Sequence, residues 1–599
     1  MCQVNKTKQI QEQQPGQRTW GYLASSWELR FDIIDTFKTL TKELLRQEHL
    51  PKVLQKKEPH QLTDRTFFID GSNQGLKTIP SEILALKELE EVHLENNQIA
   101  EIPQGIQQLQ NTKVLYLHNN SLQDLCPELG ALSSLESLDL SGNPLVISSL
   151  HVVSRLRTLR ELRLYRTGLT EIPTGICKSL HHLELFGLSE NFLESLPEEI
   201  VNQTKLREIY LKQNHFEVFP CDLCVLYNLE VIDLDENKLK SIPGDIGHLV
   251  RLQKFYVASN HLMSLPESLS QCSKLSVLDL THNSIHSLPS SLELLTELTE
   301  VGLSGNRLEK VPRLLCSWVS LHLLYLRNTS LHGLRDSFKR LINLRFLDLS
   351  QNHIEHFPVQ ICALKNLEIL ALDDNKVRQL PPSISLLSNL KILGLTGNDL
   401  LSFPEEIFSL ISLEKLYIGQ DQGSKLSSLP ENIKRLMNLK ELYIENNRLE
   451  QLPASLGLMP NLEVLDCRHN LLKQLPDAIC RTRNLRELLL EDNLLCCLPE
   501  NLDHLVNLKV LTLMNNPMVD PPIYVCNQGN EAIWKHLKEN RIRKMMATTI
   551  QAWWRGIMVR KGYGSYEELL KARKKGKSPP KDKKGKKAAK GKPEKGNKK

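Results

Sequence analysis

An asparagine that returns every 23 residues constrains the fold of this chain more than any other feature of its sequence. The step connects Asn214, Asn237, Asn260, Asn283 and Asn306, and after a gap it connects Asn352, Asn375 and Asn398. Each asparagine stands in the same surroundings, L-x-x-L-x-L-x-x-N-x-L-x-x-L-P. A motif with a fixed period of about 20–50 residues is typical of solenoids, because each unit must stack on its neighbours to bury its apolar face.

Every position of the motif has a physical reason. The L-x-L alternation has a period of two, so it predicts a short strand whose leucines face a core. The asparagine amide can both donate to and accept from backbone groups of adjacent coils. A proline such as Pro266 fixes φ and has no N–H to donate, which suits the start of a return segment. The motif therefore predicts an α/β leucine-rich repeat solenoid with parallel strands on its concave face.

The anchors of the motif predict about twenty coils. They are Asn73, Asn97, Asn120, Asn143, Thr167, Asn191, Asn214, Asn237, Asn260, Asn283, Asn306, Thr329, Asn352, Asn375, Asn398, Asp421, Asn447, Asn470, Asn493 and Asn516. Thr167 and Thr329 carry hydroxyls that supply only part of the amide's bonding. The coils after Asn143 and Thr329 also lack the Leu-Pro element, so we expect local irregularity there. Three extra residues after Asp421 predict a bulge over residues 419–425.

A second motif, IQxxxRGxxxR, lies beyond the repeats. Its five defining residues are Ile550, Gln551, Arg555, Gly556 and Arg560. On a helix, Ile550, Trp554 and Ile557 share one face, with Met546 one turn earlier. The glycine allows close approach of a partner backbone, and the arginines can pair with carboxylates. This amphipathic basic segment predicts binding of calmodulin or a calmodulin-like EF-hand protein. Ile550, Trp554, Ile557 and Tyr563 also have the 1-5-8-14 spacing of calcium-dependent targets. The alternative is a basic helix packed on a cap, with its tryptophans in a core.

The strand position four residues before each anchor carries a stripe of aromatic and acidic side chains. Its tyrosines are Tyr116, Tyr210, Tyr256, Tyr325, Tyr417 and Tyr443, and its aspartates include Asp139, Asp233, Asp279, Asp348 and Asp466. Neighbouring positions add Asp235 and a basic group of Arg163, Tyr165 and Arg166. Aromatic residues on an exposed rigid face favour a protein interface. The alternative is that Tyr and Asp are common fillers of this strand position.

The domain organisation follows from these patterns and from composition. We predict a disordered N-terminus at 1–25, an amphipathic helix at 26–60, a solenoid at 66–518, a C-terminal cap at 519–540, an IQ-motif helix at 541–566 and a disordered Lys-rich tail at 571–599. The helix at 26–60 would cap the first coil, with binding of a partner as the alternative. The tail has a net charge of +13 against +5 for the whole chain, so the rest carries −8. Since no base-reading fold accompanies this tail, we expect no specific nucleic-acid partner.

The thirteen cysteines do not read as a disulfide framework. Five occupy one recurring slot of the return segment and are predicted to be small buried hydrophobes: Cys177, Cys224, Cys316, Cys362 and Cys480. Residues 1–16 are polar and show no signal peptide, and no apolar run reaches the ~18 residues of a membrane span. These features predict a reducing cytoplasmic location, with association to the cytoskeleton or cilium as an alternative.

The sequence predicts no catalytic, cofactor or metal site. The sequence contains no GxxxxGKS/T, HExxH or GxSxG motif, and Cys221 and Cys224 form a lone CxxC pair, too little for a zinc site. Over about 66–540 the repeats resemble the intracellular 23-residue class of Ras-pathway scaffolds and the Scribble group. Together with the IQ helix and the Lys-rich end, the chain resembles the leucine-rich repeat and IQ domain-containing protein family. This resemblance implies calmodulin contacts at the matched IQ residues and roles in signalling.

Three functions fit these features. The first is a non-enzymatic scaffold in signal transduction that binds a protein on its concave face and calmodulin through its IQ motif. The second is a ciliary or cytoskeletal component with constitutively bound calmodulin. The third is a regulatory subunit of a phosphatase-type complex. Calcium dependence of calmodulin binding separates the first two, and a co-purifying catalytic subunit would indicate the third.

Overall fold

A computed structural model describes residues 67–561, and within them the chain forms two compact units. The first contains residues up to Leu400 together with Gln422–Ser424, and the second contains Leu401–Asp421 and the chain from Lys425 onward. The segments predicted at 1–25, 26–60 and 571–599 lie outside the described residues, as does Tyr563.

The first unit contains fifteen three-residue strands, and each pairs in parallel with the next. They are β1 (Phe68–Asp70), β2 (Glu91–His93), β3 (Val114–Tyr116), β4 (Ser137–Asp139), β5 (Glu161–Arg163), β6 (Leu185–Gly187), β7 (Glu208–Tyr210), β8 (Val231–Asp233), β9 (Lys254–Tyr256), β10 (Val277–Asp279), β11 (Glu300–Gly302), β12 (Leu323–Tyr325), β13 (Phe346–Asp348), β14 (Ile369–Ala371) and β15 (Ile392–Gly394). The return segments hold α1 (Ser81–Leu84), α2 (Thr174–Ser179) and 3-10 helices at Gln104–Gln108, Pro127–Ala131, Ile147–Arg155, Glu198–Asn202, Cys221–Val225, Gly244–His248, Glu267–Gln271, Ser290–Leu294, Arg313–Ser317, Asp336–Arg340, Val359–Ala363 and Pro382–Leu386.

The second unit repeats this plan and ends in a long helix. Its parallel strands are β16 (Lys415–Tyr417), β17 (Glu441–Tyr443), β18 (Val464–Asp466), β19 (Glu487–Leu489) and β20 (Val510–Thr512). Its 3-10 helices are Glu405–Ser409, Glu431–Arg435, Ala454–Leu458, Asp477–Arg481 and Leu502–His504, and its α-helices are α3 (Ile523–Cys526) and α4 (Asn530–Arg560). The twenty strands confirm the predicted leucine-rich repeat solenoid.

The predicted asparagine ladder is present, and Asn283 shows its geometry. Its amide nitrogen donates to the carbonyl of Leu280 at 3.0 Å and to that of Val257 in the preceding coil at 2.9 Å. Its amide oxygen accepts the N–H of Leu262, also in the preceding coil, at 2.9 Å. The side chain is buried. Because these backbone groups have no water to bond, the amide satisfies them and links one coil to the next.

A left-handed residue precedes the anchors, a feature that the sequence pattern did not reveal. Glu236, for example, has φ of 54° just before Asn237, and Gly397 has φ of 68° just before Asn398. Side chains other than glycine adopt this conformation reluctantly, so the sharp turn after each strand carries a local cost. The bonds of the asparagine that follows hold the turn in place.

Thr167 fills its rung with fewer bonds, as predicted. Its hydroxyl donates to the carbonyl of Leu164 at 2.9 Å, whereas an asparagine would also reach the preceding coil. In regular coils, the N–H two residues after an anchor donates to the amide oxygen of the next anchor, as Leu122 does to Asn143. The N–H of Leu145 instead donates to the carbonyl oxygen of Asn143 at 2.9 Å. The 3-10 helix of this coil, Ile147–Arg155, lies between Asn143 and Thr167 and has nine residues, whereas most of the others have five. The coil after Thr329 keeps a five-residue 3-10 helix, so the irregularity predicted there is small.

Two predicted anchors are wrong. Asn73 lies at the left-handed position with φ of 56° and is exposed, so Gln74 occupies the anchor position of that coil. Asp421 is also exposed, unlike the buried anchors, and its carboxylate accepts from Asn446. Residues 421–423 form an exposed bend, whereas Gly419 and Gln420 are buried, so the predicted bulge is shorter than 419–425. The extra residues displaced Asp421 from the rung.

A second asparagine ladder runs just before the strands. The amide of Asn343 donates to Val319 O at 3.0 Å, and that of Asn366 donates to Ile342 O at 2.9 Å. Equivalent bonds come from Asn111, Asn228 and Asn389 in the first unit and from Asn438, Asn461, Asn484 and Asn507 in the second. These exposed bonds tie each coil to the previous one at the opposite end of the strand from the buried ladder.

Charges of alternating sign stand beside this second ladder. Arg207 pairs with Glu230 at 2.8 Å, and Glu368 receives both Arg345 and Lys391 at 2.6 Å. An exposed pair such as Arg207–Glu230 contributes only about 0–1 kcal/mol, whereas Glu368 is buried. If a coil stacked on the next but one instead of on its neighbour, charges of the same sign would face each other. The alternation therefore favours stacking of consecutive coils.

The cysteines of the return segments occupy the core as predicted. Cys177, Cys224, Cys316 and Cys362 are buried, and Cys480 is half-buried. Burial raises the pKa of the Cys177 and Cys224 thiols to about 12, so both stay protonated at neutral pH. Within residues 67–561, no helix combines the length and apolar character needed to cross a membrane.

Candidate functional site

The N-terminal half of α4 docks on the last coil of the second unit. Ile533 and Leu537, one turn apart, are buried. The amide of Asn530 donates to Lys509 O at 3.0 Å and so holds the start of the helix. Trp534, beside Ile533 in the sequence, is half-buried. These contacts cover leucines that an open solenoid end would expose.

Three acidic side chains of the last coil hold the same half of the helix. Asp520 accepts from His536 and Asn540 at 2.8 and 2.9 Å. Asp503 receives two N–H groups of Arg541 at 2.8 and 2.7 Å, and these hydrogen bonds lower the pKa of the Asp503 carboxyl. Lys544 pairs with Glu500. The helix is therefore fixed at its base by directional bonds as well as by apolar packing.

The IQ segment is the C-terminal half of the same helix. The helix has 31 residues and continues without interruption to Arg560, which gives it a length of about 46 Å. Ile550 is 62% exposed, Trp553 59% and Trp554 55%, and Met546 is also exposed. The tryptophans therefore do not belong to a core, and the alternative of a helix packed on the cap through them is wrong for the described residues.

The remaining IQ residues have the following positions. Gln551 and Arg560 are exposed, whereas Arg555, Gly556 and Ile557 are half-buried. The guanidinium of Arg560 donates to Gly556 O at 3.0 Å, and that of Arg555 donates to Gln551 O at 3.3 Å. Among residues 67–561, the one neighbouring group that a Cβ at Gly556 would meet is the Arg560 guanidinium at 3.3 Å, the backbone of the helix itself left aside. The apolar anchors and the basic residues lie together on an accessible helix.

The strand stripe of the first unit lies on the face of the sheet opposite the leucine core, which we call the sheet face. Its tyrosines are half-buried, not exposed as the sequence suggested: Tyr116, Tyr165, Tyr210, Tyr256 and Tyr325. Tyr165 and Tyr210 meet edge to face at 6.4 Å, and the Tyr210 hydroxyl donates to Glu208 at 2.7 Å. A Cβ at Gly187 would lie 2.4 Å from the Tyr165 ring, so the glycine leaves room for that ring. The sheet face here is a packed layer of aromatic residues.

Charged residues border this aromatic layer. Arg163 pairs with Glu161 at 2.9 Å and Arg166 with Glu190 at 2.5 Å, so the predicted basic group is partly neutralised. Asp233 and Asp235 are half-buried beside Tyr256.

The carboxylates of this region strongly affect one another. Burial, reinforced by Asp233 and Asp279, raises the pKa of Asp235 to about 7. Burial and Asp279 likewise raise the pKa of Glu300 to about 7. The Asp235 carboxylate still accepts the Ala258 N–H at 2.6 Å. Because burial disfavours the ionised carboxylates, this part of the sheet face carries less negative charge near neutral pH than its acidic residues suggest.

The second unit contains the other two tyrosines of the stripe. Tyr417 and Tyr443 stack at 4.6 Å with an angle of 10° between their rings. Tyr417 is buried, so its ring mainly supports that of Tyr443. Arg468 binds Asp466 through two N–H groups beside this pair.

An apolar column on the sheet face was missed by sequence analysis. Leu323, Phe346, Ile369 and Ile392 occupy the first position of β12 to β15, and all four are buried. The Phe346 ring lies 4.8 Å from that of Tyr325. The sequence signal for this column is an apolar residue two positions before the stripe position that often holds Tyr or Asp.

Family models match both parts of the chain. The description "Leucine rich repeat" applies to residues 87–145, 157–216, 228–249 and 437–495, and "Leucine-rich repeat region" applies to 303–446. The description "IQ calmodulin-binding motif" applies to residues 547–564.

Solved structures support the fold. The LRR protein LIC12759 of Leptospira interrogans matches with a TM-score of 0.55 and 31% identity, covering 67% of this chain and 96% of that one. The complex PEPR1-AtPEP1 matches with a TM-score of 0.52 and 26% identity, covering 74% of each chain.

A curated relative matches both the repeats and the C-terminal region. Human leucine-rich repeat and IQ domain-containing protein 4 is 82% identical over 543 residues, which cover 91% of this chain and 97% of that protein. Repeats, IQ motif and their order along the chain are therefore shared. The chain belongs to the family of leucine-rich repeat and IQ domain-containing proteins.

Proposed function

We propose that the protein is a non-enzymatic cytoplasmic scaffold in signal transduction. Its sheet face holds a protein ligand, and its IQ segment holds calmodulin or a related EF-hand protein. The observation that carries the proposal is one helix with a docked base and an exposed apolar, basic end. Leucine-rich repeats and IQ motifs are both protein-binding elements, which supports the assignment.

The IQ segment has the chemistry that an EF-hand groove requires. Burying a tryptophan removes about 150–250 Å² of surface from water, so Trp553 and Trp554 are costly to leave exposed unless a partner covers them. Ile550 supplies an aliphatic anchor on the face of Trp554. Arg560 is placed to meet acidic residues at the rim of such a groove. The complete IQ motif resembles those that bind calmodulin without calcium, so we expect binding to persist when calcium is chelated.

Titration calorimetry of the full-length protein with calmodulin, with and without calcium, tests this assignment. Ile550→Asp should abolish binding because it places a charge in an apolar groove. Val559→Asp is the matched control, since Val559 is equally exposed but lies nine residues on, on the opposite face of the helix. Absence of heat with the unmodified protein in both conditions would refute the assignment. Binding only with calcium would instead indicate a calcium-gated scaffold.

The sheet-face ligand is tested separately. Tyr210→Ala combined with Tyr256→Ala should remove proteins that co-purify with the full-length chain, because aromatic residues dominate such interfaces. Tyr227→Ala is the control, as Tyr227 is exposed and lies outside the strands. Equal recovery from both variants would favour tyrosine as a filler of the strand position.

A further inference from the structure

Two neighbouring thiols lie on the surface of the second unit. Cys496 and Cys497 are both exposed, and their sulfur atoms are 3.8 Å apart. Most other cysteines of residues 67–561 are at least partly covered, and the exposed Cys221 pairs its thiol with the carbonyl of Phe219. Adjacent residues in extended backbone point to opposite sides, so sulfur contact between them is an unusual arrangement.

The surroundings of the pair distinguish its two sulfurs. Cys497 lines a cleft with Glu500, Asp520 and Lys544. Burial and the hydrogen bond with Cys496 raise the pKa of the Cys497 thiol. Cys496 is exposed and is not part of this cleft lining, so it is the sulfur that a dissolved oxidant meets first.

We propose that Cys496 and Cys497 form an oxidisable vicinal dithiol, whose reactant is a two-electron oxidant of the peroxide class. The Cys496 thiolate attacks one peroxide oxygen, the O–O bond breaks, and Cys496 becomes a sulfenic acid as water leaves. The Cys497 sulfur then attacks the Cys496 sulfur, the S–O bond breaks, and the hydroxyl leaves as a second water with the Cys497 proton. Two thiols and one hydrogen peroxide yield one disulfide and two waters, and an external dithiol reduces this disulfide to two thiols while forming a disulfide itself.

Ring closure would alter the backbone that holds the cap. Neighbouring Cα atoms across a trans peptide are about 3.8 Å apart, which is shorter than the roughly 4.4–6.8 Å of ordinary disulfides. The backbone at Cys496 must therefore adjust. Its carbonyl accepts the N–H groups of Val519 and Asp520 at 2.8 and 3.1 Å, and Leu498 donates to Asp520 O at 3.1 Å. Asp520 in turn binds His536 and Asn540 of α4, so oxidation reaches the base of the IQ helix.

Peptide mapping of the full-length protein after treatment with equimolar hydrogen peroxide tests the site. Cleavage at Arg486 and Lys509 releases one tryptic peptide, 487–509, that contains both cysteines and no other. We expect this peptide to lose about 2 Da, the mass of two hydrogens, and to recover it on reduction. Cys497→Ser should instead accumulate a sulfenic acid at Cys496 that dimedone traps, whereas Cys496→Ser should give no adduct. Cys221→Ser, an exposed single thiol elsewhere, should leave the result unchanged.

Hydrogen exchange provides a second readout that does not depend on a substitution. In the oxidised protein, the amides of Val519 and Asp520 should exchange roughly two- to tenfold faster, as expected for the loss of one hydrogen bond. An unchanged peptide mass, a cross-link from Cys496 to Cys526 or to a second molecule, or an equal dimedone adduct with and without Cys497 would each overturn the proposal.

Discussion

At the scale of single residues, each anchor asparagine contributes to stability through several buried hydrogen bonds. Asn398 is buried, and its side chain bonds three carbonyls and accepts the N–H of Val377 in the preceding coil. Replacing such an amide with an apolar group strands the donors and acceptors that it served.

Asn283→Leu should therefore lower the free energy of unfolding by about 1–3 kcal/mol. Thr329→Leu should cost less, because its hydroxyl serves one carbonyl, that of Leu326, and otherwise touches Asn352. Asn73→Gly should change stability by less than about 0.5 kcal/mol, since Asn73 is exposed, lies outside the ladder and has a left-handed backbone that glycine adopts without strain. Denaturant unfolding compares the three variants, and equal losses would show that the buried ladder does not distinguish these positions.

A substitution at Gly556 should have opposite effects on the stability of the helix and on its affinity for a partner. Gly556→Ala should stabilise the isolated helix by up to about 1 kcal/mol, since alanine is the better helix former. It should nevertheless weaken calmodulin binding, because a methyl group would stand where the partner backbone approaches. Helicity by circular dichroism and affinity by calorimetry measure the two effects. Tighter binding of the variant would show that the glycine is no contact.

At the scale of elements, sequence alone predicted the strands because L-x-L and the anchor recur in phase. Positions at which the chain departs from the repeat pattern were more difficult to predict. Asp421 looked like an anchor by position, but three inserted residues moved it to the surface. Phe346 and Ile369 looked like ordinary variable positions, and only the pairing of adjacent strands buries them on the sheet face. Pairing of side chains between coils depends on register, which a single repeat does not reveal.

The carboxylates of β8 to β11 make the first unit sensitive to pH. The folded state keeps a proton on Asp235 up to a pKa of about 7, whereas the ordinary value is 3.8. Between these values the folded state binds more protons than the unfolded state, so stability falls as pH rises. We expect a higher thermal midpoint at about pH 5.5 than at about pH 8.

Asp235→Asn should reduce this pH dependence, because the amide can still accept the Ala258 N–H but cannot ionise. Asp245→Asn, an exposed carboxylate outside the group, is the control. Thermal unfolding across this range measures both. A midpoint that rises with pH in the unmodified protein would contradict the account.

At the scale of the whole molecule, the repeats and the IQ motif are joined through one helix. Sequence reasoning predicted a capping helix followed by an IQ helix, and the two form the single helix Asn530–Arg560. The motif letters identified the IQ residues, but they did not show that Asp503 and Asp520 would fix the base of the helix. Those bonds join residues distant in sequence, so no local pattern records them.

We expect the base of α4 to stay docked while its IQ end binds a partner. Hydrogen exchange of the full-length protein with and without calmodulin tests it directly, because amide protection reports local opening. We predict slow exchange over 533–541 in both states and a gain of protection confined to 545–560 when calmodulin is added. Loss of protection over 533–541 on binding, or no change over 545–560, would contradict the claim.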